Sequence, residues 1–332
     1  MKRPKSVTAF APATVGNAGV GFDVLGFSIE AVGDRVTATR IPTPGKVTAE
    51  IFSESTQVND ELGKEIAQEI ANLPLDPEKN TATAGLLALC RDLNLDFGFA
   101  VSIRKGIPIG SGMGGSAASA VAAAVAANAL LPRPLSLEKL LKYALIGEAV
   151  ASGSMHADNV APCLFGGLTL ALDSPDHWDA PPLIRKIPVP SQILCVLVHP
   201  SMRLDTRAAR AVLKPDLPLK THVQQSANLA AFLTGCFTND LTLLAQSLSD
   251  VVIEPQRAKL IPGFAAVKEA ALKNGALGCT ISGAGPSVFA WVPSRQIAED
   301  ARSAMVQAFL DAGLPSVEAW ISPISQKGAY VL

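Results

Sequence analysis

The chain has 332 residues, which is long for one hydrophobic core, so two domains are expected. Its composition, 48% hydrophobic and 17% charged, is that of a chain that folds and buries a sizeable core. The 28 lysine and arginine residues balance 29 aspartate and glutamate residues, and 5% of the residues are aromatic. A nucleic-acid partner is therefore not expected, because it needs clustered basic residues and aromatic stacking platforms.

Neither the cysteines nor the long uncharged stretch points to a secreted or membrane protein. The five cysteines are scattered and form no CxxC pair, which argues against a disulfide framework or a structural zinc site and favours a reducing, cytoplasmic location. The N-terminus is basic but lacks the apolar run of a signal peptide. Residues 106–132 carry no charge, but Pro108 and five glycines break the first part. The alanine-rich remainder predicts a buried helix rather than a membrane span.

Hydrophobic patterning predicts a succession of strands and helices. In the first half, strands are expected at residues 6–11, 34–40, 46–51 and 97–104, and helices at residues 61–71, 82–93, 117–131 and 136–150. In the second half, strands are expected at residues 168–172, 193–199, 279–281, 288–292 and 317–322, and helices at residues 221–237, 241–252, 263–274 and 296–312. The character of the sequence changes near residue 166, so two α+β domains are predicted, residues 1–165 and residues 166–332, each with one glycine loop.

The segment PIGSGMGGSAAS, residues 108–119, is the most informative in the chain. Glycines let the backbone adopt positive φ and approach a ligand without interference from a Cβ atom. Successive N–H groups can then point into one concavity, and the helix that begins near Ser116 adds the partial positive charge of its N-terminus. The loop is therefore expected to bind a polyphosphate.

Other nucleotide-binding motifs fit this chain less well. A Walker A string, GxxxxGK[ST], does not occur. Gly110, Gly112 and Gly115 match the GxGxxG of a dinucleotide-binding fold, but the acidic strand end expected about 20 positions later is replaced by the helix-like SLEKLLKYA. The HRD and DFG partner motifs of a protein kinase are missing. From the loop alone, an incidental glycine-rich turn also remains open.

Three motifs in the same order resemble those of the GHMP kinases. The loop is similar to the phosphate-binding motif PxxxGxGSSAA. Gly115 replaces the first serine of this motif, and Ser116 is its second serine. The segment APATVGNAGVGFDVLG, residues 11–26, is similar to the N-terminal substrate motif, and ISGAGPSVFAWV, residues 281–292, is similar to the C-terminal glycine motif. The resemblance implies an α+β fold with a ribosomal-S5-like N-terminal domain, which contains a left-handed βαβ unit, and a ferredoxin-like C-terminal domain.

The resemblance also implies that ATP and Mg²⁺ bind at the loop. The residues implied to contact ATP are Pro108, Gly110, Ser111, Gly112, Met113, Gly114, Gly115, Ser116, Ala117, Gly283 and Gly285. Ser116 and Glu148 resemble the residues with which the family holds Mg²⁺. Because Mg²⁺ takes few protein oxygens beside phosphate and water, one serine and one glutamate suffice.

Within this family, GSMHADNVAPCLFGG (residues 153–167), IEPQRAKLIPGF (residues 253–264) and TRAARAVL (residues 206–213) resemble the homoserine kinase group. The implied substrate is L-homoserine, a zwitterion that needs guanidinium groups for its carboxylate and an acidic or amide group for its ammonium. The implied substrate-binding residues are Asn17, Asp23, His156, Asn159, Arg210 and Arg257. Catalytic roles are expected for Asp23, Asn159 and His156, although no clean general base is identifiable, which phosphoryl transfer tolerates.

Two other functions remain open at this point. One is a GHMP-type kinase for another small alcohol, such as mevalonate or shikimate, which would not need both Arg210 and Arg257. The other is a catalytically silent homologue that only binds small molecules, for which a damaged loop or lost Mg²⁺ ligands are expected. A homodimer is compatible with the sequence.

Overall fold

The computed structural model describes residues 4–53, 68–153, 155–172 and 181–332. The strands are β1 (Ser6–Gly16), β2 (Leu25–Ile41), β3 (Val47–Ser53), β4 (Gly98–Lys105), β5 (Leu168–Leu172), β6 (Leu183–Ile187), β7 (Leu194–Pro200), β8 (Gly278–Ile281), β9 (Val288–Val292), β10 (Val317–Pro323) and β11 (Tyr330–Val331). The helices are α1 (Thr81–Asp92), α2 (Gly115–Leu130), α3 (Leu137–Ser152), α4 (Ala157–Phe165), α5 (Thr206–Ala211), α6 (Leu219–Thr238), α7 (Leu241–Ser247), α8 (Glu254–Arg257), α9 (Phe264–Lys273) and α10 (Arg295–Asp311). A 3₁₀ turn, Ala258–Leu260, follows α8.

Within the described residues, the first sheet has seven strands, with β11, β1, β2, β4 and β3 side by side. Strand β2 is 17 residues long, so its beginning pairs with β5 and its end pairs with β4. Strand β6 pairs with β5. Strands β3 and β4 are parallel, and α1 lies between them in the chain, which gives a βαβ unit as the resemblance implied. The loop that follows β4 leads into α2.

Helix α2 confirms the interpretation of the uncharged stretch as a buried helix. Every residue from Ala117 to Ala127 is buried, and the helix packs on β1, β2, α1 and α3. Small alanine side chains allow these close approaches on all sides. Across the described residues, no helix has both the length and the apolar character needed to cross a membrane.

The second sheet is antiparallel, with the order β10, β7, β9, β8. In chain order this is the fourth, first, third and second strand, the arrangement of a ferredoxin-like domain. Helices α9 and α10 cover this sheet through a separate apolar core that includes Val267, Met305 and Phe309. The fold class expected from the resemblance is therefore confirmed.

Several predicted elements differ from the structure. Sequence patterning missed α4, α5, α8, β6 and β11, and the strand predicted over residues 34–40 is the end of β2, which begins at Leu25. The helix predicted over residues 241–252 ends at Ser247, because the Asp250 carboxylate accepts the N–H groups of Val252, Ile253 and Glu254 and starts a new turn there. Of the helix predicted over residues 61–71, residues 68–71 are helical and the remainder lies outside the described residues.

The domain boundary predicted after residue 165 stays a prediction. Strands from both sides of it, β1 to β4 before and β5, β6 and β11 after, share the first sheet. The four strands from β7 to β10 form the second sheet.

Candidate active site

The loop between β4 and α2 has the conformation that its glycines predict. Gly110, Gly112 and Gly114 have φ values of 66°, 75° and 67°, in the left-handed region that favours glycine. Gly114 is the N-cap residue of α2, makes no side-chain capping bond, and is followed by a first turn without acidic residues. The first N–H groups of α2 and its helix dipole are thus left for an anion.

The C-terminal glycine loop packs directly on the phosphate loop. A Cβ atom on Gly112 would lie 2.5 Å from the carbonyl oxygen of Ser282 and 2.6 Å from that of Gly285. The Ser282 hydroxyl donates to the Gly112 carbonyl at 2.8 Å, and the backbone N–H of Ser287 donates to the Ser111 carbonyl at 3.2 Å. The two glycine motifs, far apart in sequence, therefore form one structure.

Strand β1 holds the other side of the phosphate loop. The backbone N–H of Thr14 donates to the Met113 carbonyl at 3.1 Å, and the Thr14 hydroxyl donates to Asn159 Oδ1 at 2.8 Å. A Cβ atom on Gly114 would lie 2.0 Å from the Thr14 hydroxyl and 3.0 Å from Asn159 Oδ1. Thr14 lies inside the quoted N-terminal motif but was not among the expected site residues.

A cavity of about 390 Å³ opens above the loop. Loop residues 108, 110–112 and 114–116 line it, together with Glu148, Asn159, Gly283 and an apolar wall that includes Ile51, Leu73 and Ile103. Arg203 also lines it and packs against Gly110, which brings a cation to the loop that no motif signalled. This size and lining suit a nucleotide whose base meets apolar side chains and whose phosphates meet the glycines.

Ser116 and Glu148, the two expected Mg²⁺ ligands, lie together in this cavity. The Ser116 hydroxyl hydrogen-bonds the Glu148 carboxylate. The pKa of Glu148 is raised to about 7, chiefly by burial; the hydrogen bond from Ser116 opposes this rise, the Asp158 carboxylate adds to it, and Lys105 opposes it. Hard oxygen donors beside a phosphate loop fit Mg²⁺, which would favour the ionised carboxylate. In the part of the chain that the structure describes, no three His, Cys, Asp or Glu side chains form a metal cluster.

The expected substrate residues form a second cluster joined to this cavity. Asp23, with a φ of 62°, accepts two hydrogen bonds of 2.9 Å from the Arg210 guanidinium. His156 Nδ1 lies 3.8 Å from Asp23 Oδ2. Asn17 accepts from the Asp23 backbone N–H at 3.0 Å and donates to the Gly283 carbonyl at 2.8 Å. The cluster therefore touches the cavity wall through Gly283.

Asp158 is a candidate site residue that sequence reasoning missed. Its Oδ2 accepts from the backbone N–H of Asn17 and from Asn159 Nδ2, both at 3.2 Å. Burial, followed by the neighbouring Asp23 carboxylate, raises its pKa to about 7. It lies in the quoted HADNV segment, between two residues that were selected, so the motif carried the signal.

Arg257 is placed near the cluster but is more enclosed than expected. Its side chain is buried, with Nε donating to the Ala209 carbonyl at 3.0 Å and a terminal nitrogen donating to the Gly283 carbonyl at 3.1 Å. Both Arg210 and Arg257 lie 5.2 Å from the centre of the Phe22 ring. Burial, followed by the like charge of Arg210, lowers the pKa of Arg257. Two guanidinium groups thus converge on one aromatic ring.

Comparisons with known proteins agree with this arrangement. Residues 80–167 match the sequence model of the GHMP kinases N terminal domain, and residues 229–312 match that of the GHMP kinases C terminal region. The chain is 51% identical to a homoserine kinase of Xylella fastidiosa, over 98% of this chain and 93% of that protein. It is 44% identical to a homoserine kinase of Chlorobium phaeovibrioides, over 99% and 100% of the two chains.

A solved structure shows the same architecture. The crystal structure of a homoserine kinase from Cytophaga hutchinsonii superposes with a TM-score of 0.90 at 37% sequence identity, covering 100% of this chain and 99% of that one. Relatives at this identity and coverage share family membership. The chain therefore belongs to the homoserine kinase family of the GHMP kinases.

Proposed function

We propose that the protein transfers the γ-phosphoryl group of ATP to the side-chain hydroxyl of L-homoserine, giving O-phospho-L-homoserine and ADP, a step in threonine biosynthesis. The observation that carries this proposal is the ion pair between Asp23 and Arg210 beside the phosphate loop. The homoserine kinases to which the chain is similar support the same substrate.

The ion pair suits a zwitterion in particular. An α-amino acid carries an ammonium that can replace Arg210 as the partner of Asp23, and a carboxylate that can replace Asp23 as the partner of Arg210. Such an exchange keeps both partly buried charges paired, which matters because removing the partner of a charge that is shielded from water is costly. Neither a sugar nor mevalonate carries both charges.

The nucleotide would lie in the cavity with its triphosphate on the N-terminus of α2. Ser116 and Glu148 would hold Mg²⁺, which when bound neutralises charge on the phosphate oxygens. The loop's N–H groups and Arg203, which also lines the cavity, add positive charge. These groups are in place before binding, so they cost little reorganisation during transfer.

In the reaction, the homoserine hydroxyl oxygen forms a bond to the γ-phosphorus while the bond from this phosphorus to the β,γ-bridging oxygen breaks. Asn159 lines the nucleotide cavity and also contacts Asp158 in the substrate cluster. Its amide can therefore orient the substrate hydroxyl where the cavity and the cluster meet. Of the two expected acceptors of the hydroxyl proton, Asp23 would pair with the substrate ammonium, which leaves His156 as the proposed acceptor. Positioning and charge neutralisation supply most of the rate in such transfers.

Product analysis tests this proposal. ATP, Mg²⁺ and homoserine should yield a phosphate monoester at the side-chain oxygen, detectable by ³¹P NMR. Two analogues test the zwitterion requirement: 4-hydroxybutyrate lacks the ammonium, and 3-aminopropan-1-ol lacks the carboxylate. We expect kcat/KM for each to fall by at least about 100-fold, since each leaves Arg210 or Asp23 with a mismatched partner. Equal turnover of either analogue would refute the role of the ion pair.

The two alternatives fit the site less well. A silent homologue is disfavoured because Ser116 and Glu148 are in contact and the glycines of the loop have positive φ.

We further propose a reducing, cytoplasmic location, which is supported by five cysteines that are all free and buried. A homodimer stays a prediction.

A further inference from the structure

Lys105 and Asp34 form an ion pair beneath the phosphate loop. Lys105 is the last residue of β4, and Asp34 lies on the neighbouring strand β2. Their side chains are 7% and 0% exposed, and the Lys105 ammonium contacts Asp34 Oδ2 directly. No motif in the sequence singled out either residue.

The pair contacts both ends of the loop. At the beginning, Asp34 Oδ1 accepts the backbone N–H groups of Gly106 at 3.0 Å and Ile107 at 3.1 Å. At the end, Lys105 Nζ donates to the carbonyl of Gly115 at 2.8 Å. Ser119, on the first turns of α2, completes the network by donating to Asp34 Oδ2 at 2.7 Å and accepting from Lys105 at 3.0 Å. One ion pair thus fixes the two points at which the loop leaves β4 and enters α2.

Burial of an ion pair is a weak source of stability, because the cost of removing two charges from water offsets their attraction. Because this pair contacts the loop backbone, its main effect is on the conformation of the loop and not on stability. Building on the proposed function, we propose that Lys105 and Asp34 are positioning residues that hold the phosphate loop in its ATP-binding conformation. Donors that are fixed before binding lose less entropy when the triphosphate arrives.

The position of Gly115 bears on the same pair. A Cβ atom there would lie 3.3 Å from Ile107 Cγ2 and 3.5 Å from Lys105 Nζ. The Cβ atom of a side chain at this position, such as the serine of the family motif, would therefore press on Ile107 at the beginning of the loop and touch the Lys105 ammonium. With glycine at position 115, the ion pair connects the two ends of the loop.

Four variants test the proposal: Lys105→Met, Asp34→Asn, the double variant with both changes, and Ser119→Ala. Calorimetry measures ATP and homoserine binding separately, and urea unfolding measures stability. Each single charge variant is expected to weaken ATP binding about tenfold or more, because hydrogen bonds to charged groups hold the loop ends. Homoserine binding is expected to change less than about threefold, since its cluster does not contact the pair. Lys142→Met, which breaks the exposed ion pair with Asp92, is the control and should change neither.

The double variant decides between a structural pair and a positioning pair. Removal of both charges should restore stability, because no uncompensated charge stays buried. We expect its ATP affinity to remain about tenfold low, because the loop ends have lost their charged partners. Recovery of wild-type ATP affinity together with stability would overturn the proposal, as would an equal loss of homoserine binding.

Ser119→Ala keeps both charges, so it should fold and still lose about threefold in ATP affinity; no loss would count against the proposal. Wild-type binding and turnover in the same series test the proposed function itself. The ratio of each variant's ATP affinity to that of wild type tests the role of the ion pair.

Discussion

The Asp23 carboxylate and the Arg210 guanidinium face each other in a two-pronged ion pair, although 187 positions separate them in the chain. Asp23 lies between β1 and β2 of the first sheet, and Arg210 lies near the end of α5. Their side chains are 25% and 38% exposed, so a ligand can reach both from solvent. The pair therefore joins two distant segments and leaves both charges available to a zwitterion.

Arg210→Lys tests the geometry of this pair. Lysine keeps the charge but lacks the planar fork that pairs with a carboxylate through two hydrogen bonds. We expect homoserine affinity to fall by at least about tenfold, and Arg210→Ala to cost roughly 2–5 kcal/mol of binding free energy. Titration calorimetry with each ligand separately measures both effects. If ATP affinity dropped as much as homoserine affinity, Arg210 would not be a substrate residue.

Glu148→Gln and Ser116→Ala test the proposed Mg²⁺ ligands. Both substitutions preserve size closely and remove one oxygen donor or its charge. We expect nucleotide binding to survive in large part and the Mg²⁺-dependent kcat to fall by about 10²–10³-fold. Rate measured against Mg²⁺ concentration should show a higher half-saturation for both variants. A wild-type Mg²⁺ profile in Glu148→Gln would contradict the assignment.

Gly114→Ala tests the close packing at the start of α2. The added Cβ atom would collide with Thr14 at 2.0 Å and disturb the Thr14–Asn159 hydrogen bond, in addition to straining a positive φ. Gly45→Ala is the matched control, because Gly45 has a φ of 68° and open space around its Cβ position. The control should lose about 1–2 kcal/mol of unfolding free energy, which is the cost of a side chain at positive φ, and it should keep its ATP affinity. Gly114→Ala should lose ATP affinity as well; normal binding by a folded variant would show that this packing is not needed.

The pH dependence of stability should reveal Asp158. Its pKa is raised to about 7 from 3.8, so the native state holds a proton that the unfolded state has lost at intermediate pH. This contribution to stability is present below about pH 4 and is lost as the pH rises through about 7, to a limit of about 4 kcal/mol. His199 has the opposite slope, because burial lowers its pKa to about 4.

The comparison of wild type with Asp158→Asn separates Asp158 from His199; Glu148, whose pKa the Asp158 carboxylate raises, changes the difference in the same direction. The stability of the variant relative to wild type should rise between about pH 4 and pH 7 and level off above that, measured by urea unfolding of the ligand-free protein. A difference in stability that does not change with pH would show that Asp158 is already ionised in the folded protein.

Much of the site could be predicted from the sequence because the glycine motifs are local. Positive φ and an uncapped helix N-terminus follow from consecutive glycines before an alanine helix, and the structure has both at Gly114. The matches to family motifs also indicated Ser116, Glu148 and Asp23, which the fold brings into two adjoining clusters. Their individual roles stay predictions that the variants above address.

What the sequence could not indicate depends on contacts between distant segments. Asp34 and Lys105 meet because β2 and β4 are neighbours in the sheet, and nothing in their local sequence signals a buried charge. Arg257 was expected as a clamp for a ligand, yet two of its nitrogens hold backbone carbonyls of Ala209 and Gly283. Strand β11 has two residues, too few for a periodic pattern.

The most direct test of the central claim is an ADP-release assay with purified protein, ATP and Mg²⁺ against homoserine, mevalonate, shikimate and galactose in parallel. The ion pair of Asp23 with Arg210 and the family membership predict that homoserine gives the highest kcat/KM of the four. We expect the margin to be at least about 100-fold, since only homoserine can pair with both charges. Faster turnover of mevalonate or shikimate, or no ADP release with homoserine, would contradict the account.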